Sequence, residues 1–214
     1  MTLPHWICLA GFASYGLFIS YHSIRLLRNS GRLDRAEAKG SDLPGALYSL
    51  TGGMSPFKKE TAYQHLPTYT AGILFHIASF VGFAWIIIHF TPYDLPALIK
   101  ILSAIVLFGG VLNGVFILFK RIAVSKLRTI SVPDDYASNL IVTGFQWLSG
   151  MALISPRWRG PLLIWTGFLF LYMQVGKLRH VFYFILVRFY LGFFYGRRGI
   201  WPPKRRHEWK KRSL

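Results

Sequence analysis

A run of 23 residues, Thr68–Phe90 (TYTAGILFHIASFVGFAWIIIHF), contains no Asp, Glu, Lys or Arg. As a helix rising about 1.5 Å per residue, it is long enough to cross a bilayer core of ~30 Å. Inside it sits His76. An imidazole in a lipid-buried helix is costly to leave unpaired, so His76 is expected to face a partner, a cavity or a metal.

The composition fits a membrane chain: 53% of the residues are hydrophobic and 15% are charged, with a mean hydropathy of +0.38. That excludes an ordinary soluble domain, and 17% aromatic residues suit interfacial belts. The net charge of +17 raises nucleic acid as a partner. The basic residues, however, lie between and after apolar segments instead of on one face, so topology accounts for them and no nucleic acid is expected. Cys8 is the only cysteine, which excludes an internal disulfide and any cysteine-ligated iron–sulfur cluster within this chain. Met1–His5 lack a basic start and no small-residue cleavage site follows, so the first apolar segment reads as a retained helix.

Five apolar segments predict an all-α membrane bundle: Leu3–Leu27, Thr68–Phe90, Leu95–Phe119, Tyr136–Ile154 and Pro161–Val187. The fourth is the weakest, with Asn139 and Gln146 inside it, and Asp134 and Asp135 read as its cap and first turn. Residues 1–195 form the expected transmembrane domain. Arg28–Gln64, broken by Pro44, Gly52, Gly53 and Pro56, is expected to be a partly ordered loop. Residues 196–214 form a basic, aromatic tail, expected to lie on the inner face against anionic lipid or a cytoplasmic partner. The first connection carries seven Lys or Arg, the third four and the tail from Arg188 nine, whereas the second has none and the fourth only Arg157 and Arg159. The positive-inside rule then puts the N-terminus outside and the C-terminus in the cytoplasm, with the chain multi-pass in the cytoplasmic (inner) membrane.

In that topology His76 lies ~12 Å from the inner face at ~1.5 Å per residue. His180, in GKLRHVFYF, falls toward the inner end of the fifth segment. Two imidazoles at one depth on two helices suit the axial positions of one haem iron. Hydrogen bonding between helices is the alternative for each. His5, His22, His65, His89 and His207 lie at or beyond helix ends, where water satisfies them. His89 points to a different side of its helix from His76, and Pro67 keeps His65 interfacial, so one haem b is expected. No nucleophile–base constellation, P-loop or dinucleotide fingerprint is present.

Three stretches carry a family resemblance. LFHIASF (Leu74–Phe80), GKLRHVF (Gly176–Phe182) and TPYDLPALIK followed by FGGVLNG (Thr91–Lys100, Phe108–Gly114) resemble the cytochrome b gamma subunit of respiratory nitrate reductase. They also resemble its relatives in heterodisulfide-reductase-like and sulfite-reductase-associated complexes. The resemblance spans Thr68 to about Tyr195. It implies that His76 and His180 are the axial ligands of the inner haem and that Lys100 sits at a quinone site, with an inner site beside the first two helices as its competitor. Two-haem members carry further histidines where this chain has Ile86 and Leu162, which supports a single haem. Lys177 and Arg179, flanking His180, are candidate propionate contacts, with snorkelling to headgroups as the alternative. With no other redox centre in the chain, an electron-transfer role implies a cytoplasmic iron–sulfur subunit and a catalytic subunit as partners, and menaquinone or another quinone as the diffusible one. A haem-free membrane anchor or transport component is the rival from another class.

Overall fold

The computed structural model describes residues 1–29, 36–55 and 65–203. All regular structure among them is helical: α1 (Leu3–Asn29), α2 (Asp42–Leu50), α3 (Leu66–His89), α4 (Ala97–Ala123), α5 (Ser125–Thr129), α6 (Pro133–Ile154), α7 (Arg159–Val175) and α8 (His180–Arg197). Among the described residues, five stretches are long and apolar enough to cross a membrane: Leu3–Leu26, Leu66–His89, Ala97–Ala123, Pro133–Ile154 and Lys177–Arg197. Large apolar side chains stand outward on them, with Leu17 73%, Phe80 66% and Leu112 72% exposed. A soluble protein does not present apolar surface on that scale; lipid solvates it. The chain is a multi-pass membrane protein.

The chain divides into two compact units, Met1–Ile24 with Pro67–Arg179, and Arg25–Leu66 with His180–Leu214. In the first, helices approach through small residues, since lipid supplies no hydrophobic drive between helices and close backbone contact must replace it. A Cβ on Gly11 of α1 would come within 2.5 Å of the Gly167 carbonyl oxygen of α7, and one on Gly82 of α3 within 2.7 Å of the Phe145 ring of α6. Gln146, fully buried on α6, donates both amide hydrogens to α3, one to the Phe75 carbonyl at 2.8 Å and one to Ser79 Oγ at 2.8 Å. The polar residue that weakened the fourth segment as a sequence therefore ties that helix to the one bearing His76.

The fifth segment is not one helix. α7 ends at Val175, Gly176 is extended (φ −87°, ψ −173°), and a 3-10 turn at Lys177–Arg179 leads into α8. In a continued helix the Lys177 N–H would bond to the Met173 carbonyl. Here it donates to Asp134 Oδ2 at 2.6 Å, while Tyr172 Oη donates to Asp134 Oδ1. A Cβ on Gly176 would meet Tyr172 Oη at 2.9 Å, so the glycine makes room for that ring. Asp134 thus diverts one backbone donor and fixes the break. The stretch meeting the length and apolarity of a span is Lys177–Arg197, not Pro161–Val187.

Asp135 completes this corner. Its carboxylate accepts the Val132 N–H at 3.0 Å, so Val132 is the cap of α6 and Pro133 its first residue, where a missing N–H costs nothing. It also pairs with Arg121 Nη1 at 3.1 Å and with Lys177 Nζ. The side chain of Asp135 is 5% exposed, but those of Arg121 and Lys177 are 31% and 55% exposed and regain water if released. Asp135→Ala is therefore expected to cost about 1–2 kcal/mol, below the ~3–5 of a fully buried pair. A lower thermal midpoint in detergent checks it, with Asp135→Asn retaining the cap bond and losing less.

In the second unit, α2 packs on α8 through glycines. A Cβ on Gly196 would lie 2.5 Å from the Ser41 carbonyl oxygen and 2.9 Å from Gly45 Cα, and one on Gly192 would lie 2.9 Å from Ala46 N. Pro44 does not break α2, because it falls in the first turn, whose N–H groups have no partner within the helix. The Lys39 and Gly40 N–H groups donate to the Arg197 carbonyl at 2.9 and 3.0 Å. Beyond α8, the N–H groups of Ile200 and Trp201 both donate to the Tyr195 carbonyl, and the Trp201 ring packs on Tyr195 and Tyr48. Arg32, Arg35, Pro56, Lys58, Lys59 and the tail residues 204–214, including His207, lie outside the described residues.

Candidate functional site

His76 lies eleventh in α3, on an exposed face. Its Nδ1–H donates to the Gly72 carbonyl at 2.7 Å. A carbonyl accepts only, so the proton sits on Nδ1 and Nε2 keeps its lone pair in the neutral ring. That arrangement, one ring nitrogen bound to a backbone carbonyl and the other free, is the one that metal-ligating histidines adopt. His180 is exposed and opens α8 immediately after the 3-10 turn. His76 belongs to the first unit and His180 to the second.

Lys177 and Arg179 both belong to the first unit. The Lys177 ammonium is held by Asp135, and the Arg179 guanidinium carbon lies 5.6 Å from the Phe18 ring centre, a cation–π contact. Both charges are thus anchored to protein groups at the turn that precedes His180.

Lys100 lies at the other feature of the first unit, a pocket of about 590 Å³ bounded by Trp85, His89, Tyr93, Lys100, Arg159 and Leu162. The volume is that of a small-molecule site. The Lys100 ammonium meets the Asp94 carboxylate at 2.5 Å. Lys100, by hydrogen bond and charge, holds the Asp94 carboxyl below the ordinary carboxylate range, so Asp94 is a carboxylate at neutral pH. The pocket therefore offers a fixed cation beside aromatic walls, suited to a planar ligand with carbonyl oxygens.

Sequence reasoning left His5 and His89 to solvent, yet the fold pairs them. Their Nε2 atoms stand 3.4 Å apart although they are 84 residues apart in sequence. Each is half-buried. No periodicity on one helix could have found the pair, because it depends on how α1 and α3 pack. Among the described residues, no group of three or more His, Cys, Asp or Glu is positioned to hold a metal ion.

No family model, curated protein or solved structure matches this chain. The site therefore rests on its own geometry. Ile86 and Leu162 are 5% and 6% exposed, packed as apolar core.

Proposed function

We propose that the chain is a membrane cytochrome b subunit of a respiratory oxidoreductase complex, passing electrons between the quinone pool and a cytoplasmic iron–sulfur partner. The observation that carries this reading is His76: an imidazole within a membrane-spanning helix, its Nδ1–H committed to the Gly72 carbonyl and its Nε2 left to ligate. His76 and His180 would hold one haem b, and Lys177 and Arg179 stand next to His180 as candidate propionate contacts. When bound, the haem supplies one-electron redox chemistry at iron. The charge asymmetry between connections supports the orientation with N-terminus outside and tail in the cytoplasm. The proposed location is the cytoplasmic membrane, and substrate chemistry would belong to a separate catalytic subunit.

A reduced-minus-oxidised optical spectrum of the purified chain tests the reading. A low-spin b-type band is expected. A spectrum without one leaves the rival, a haem-free anchor whose histidines hydrogen-bond within and between helices.

The pocket at Lys100 is the proposed quinone site, its ammonium donating to a quinone carbonyl. A charge-assisted bond of about 1.5–3 kcal/mol corresponds to roughly ten- to hundred-fold in binding. Lys100→Ala is expected to slow haem reduction by quinol analogues by that factor while leaving the spectrum intact. An unchanged rate would move the quinone to an inner site beside α1 and α3.

A further inference from the structure

We infer that His5 and His89 form a two-imidazole site for a divalent transition metal where α1 begins and α3 ends. The site uses neither His76 nor His180, although His89 also lines the pocket proposed for the quinone. Two nitrogen ligands at about 2.0–2.1 Å from a tetrahedral zinc stand about 3.3–3.4 Å apart. The two Nε2 atoms are 3.4 Å apart, a spacing longer than the ~2.9–3.0 Å of a good N–H hydrogen bond. The ring centres are 5.4 Å apart, so the rings turn their Nε2 edges toward each other, and the planes differ by 22°.

The surroundings hold the pair in place. Phe90 presents its ring edgewise to both imidazoles, with centres 5.8 Å from His5 and 5.7 Å from His89. Metal binding requires the His5 proton on Nδ1, and Thr2 Oγ1 at 2.8 Å is there to accept it. The Thr2 N–H, 3.2 Å from the same nitrogen, serves the opposite tautomer. A backbone or hydroxyl partner on the second ring nitrogen is how ligating histidines are oriented.

The charges nearby are mixed. Arg159 lines the same pocket as His89 and opposes a cation, while Asp94, also on that pocket, is paired with Lys100. With only two protein ligands, water fills the remaining positions, and the site is open and exchangeable. Imidazole donors select Cu²⁺ over Zn²⁺ in affinity, and neither Mg²⁺ nor Ca²⁺ suits them.

The test uses the full chain in detergent at neutral pH, with Zn²⁺ alone as probe and a chromophoric chelator as competitor. His5→Gln and His89→Gln are each expected to weaken Zn²⁺ binding by roughly tenfold or more, while His22→Gln and His207→Gln leave it unchanged. X-ray absorption at the zinc edge should count two imidazoles in the parent chain and one in either variant. His5→Glu carries a carboxylate oxygen about as far from the backbone as Nε2 and should recover binding relative to His5→Gln, with one imidazole left in the spectrum. Wild-type affinity in His5→Gln overturns the site, as does affinity that tracks His207. So does a His5→Glu chain that folds without recovering zinc, whether or not the glutamine variants fold.

Discussion

A chain carrying His76→Ala is expected to be purified without a b-type spectrum, and so is one carrying His180→Ala. A planar haem held by one imidazole loses half of its axial attachment, and alanine at position 76 leaves nothing on that stretch of α3 to replace it. His5→Ala and His89→Ala should leave haem content untouched, which separates the two histidine pairs by one measurement. A pyridine haemochrome assay against protein mass should give one haem per chain, because Ile86 and Leu162 are packed aliphatic residues without a donor atom. A full low-spin spectrum in either the His76 or the His180 variant would overturn the haem assignment, and a ratio of two would mean a further ligand.

The second large effect belongs to the glycines of the second unit. Leucine at Gly192 or Gly196 must be placed where Ala46 N, the Ser41 carbonyl oxygen and Gly45 Cα already stand within 2.5–2.9 Å of the first added carbon. Those are backbone atoms and cannot turn aside as a flexible side chain would. The cost is expected to reach about 3 kcal/mol, the upper end of ordinary overpacking. That is enough to release α2 from α8. Limited proteolysis reads it directly: cleavage within residues 36–55 should rise in Gly192→Leu and Gly196→Leu and stay low in Gly16→Leu, where nothing lies within 4 Å of the added carbon. Equal resistance in all three would show that the clasp does not hold α2.

Most of the helices were legible because their signal is local. An uncharged run such as Thr68–Phe90 has few alternatives in a bilayer, and the structure gives α3 over nearly the same residues. What escaped was non-local. The apolar run from Pro161 to Val187 shows only Gly176 and two cations as a hint of its break; the group that makes the break is Asp134, 43 residues earlier. Pro44 looked like a loop residue because composition does not say whether a proline falls in the middle of a helix or in its first turn. The charges of Lys177 and Lys100 were plain, but their carboxylate partners, Asp135 and Asp94, follow from the packing of helix ends. His5 and His89 were read one at a time, and singly each is an ordinary end-of-helix histidine.

The clasp between α2 and α8 has a consequence for biosynthesis. Arg197 reaches the Ala36 carbonyl across 161 residues of chain. At a ribosomal rate of about 5–20 residues per second, roughly 8–30 s separate the emergence of the two partners. Throughout that interval α2, nine residues long and too short to be stable alone, has no α8 to lie on. The connection that carries α2 is thus made early and finished last. Until α8 arrives, Gly45, Ala46 and Ser49 are exposed, which makes this segment the natural target of any chaperone or protease that inspects the nascent chain.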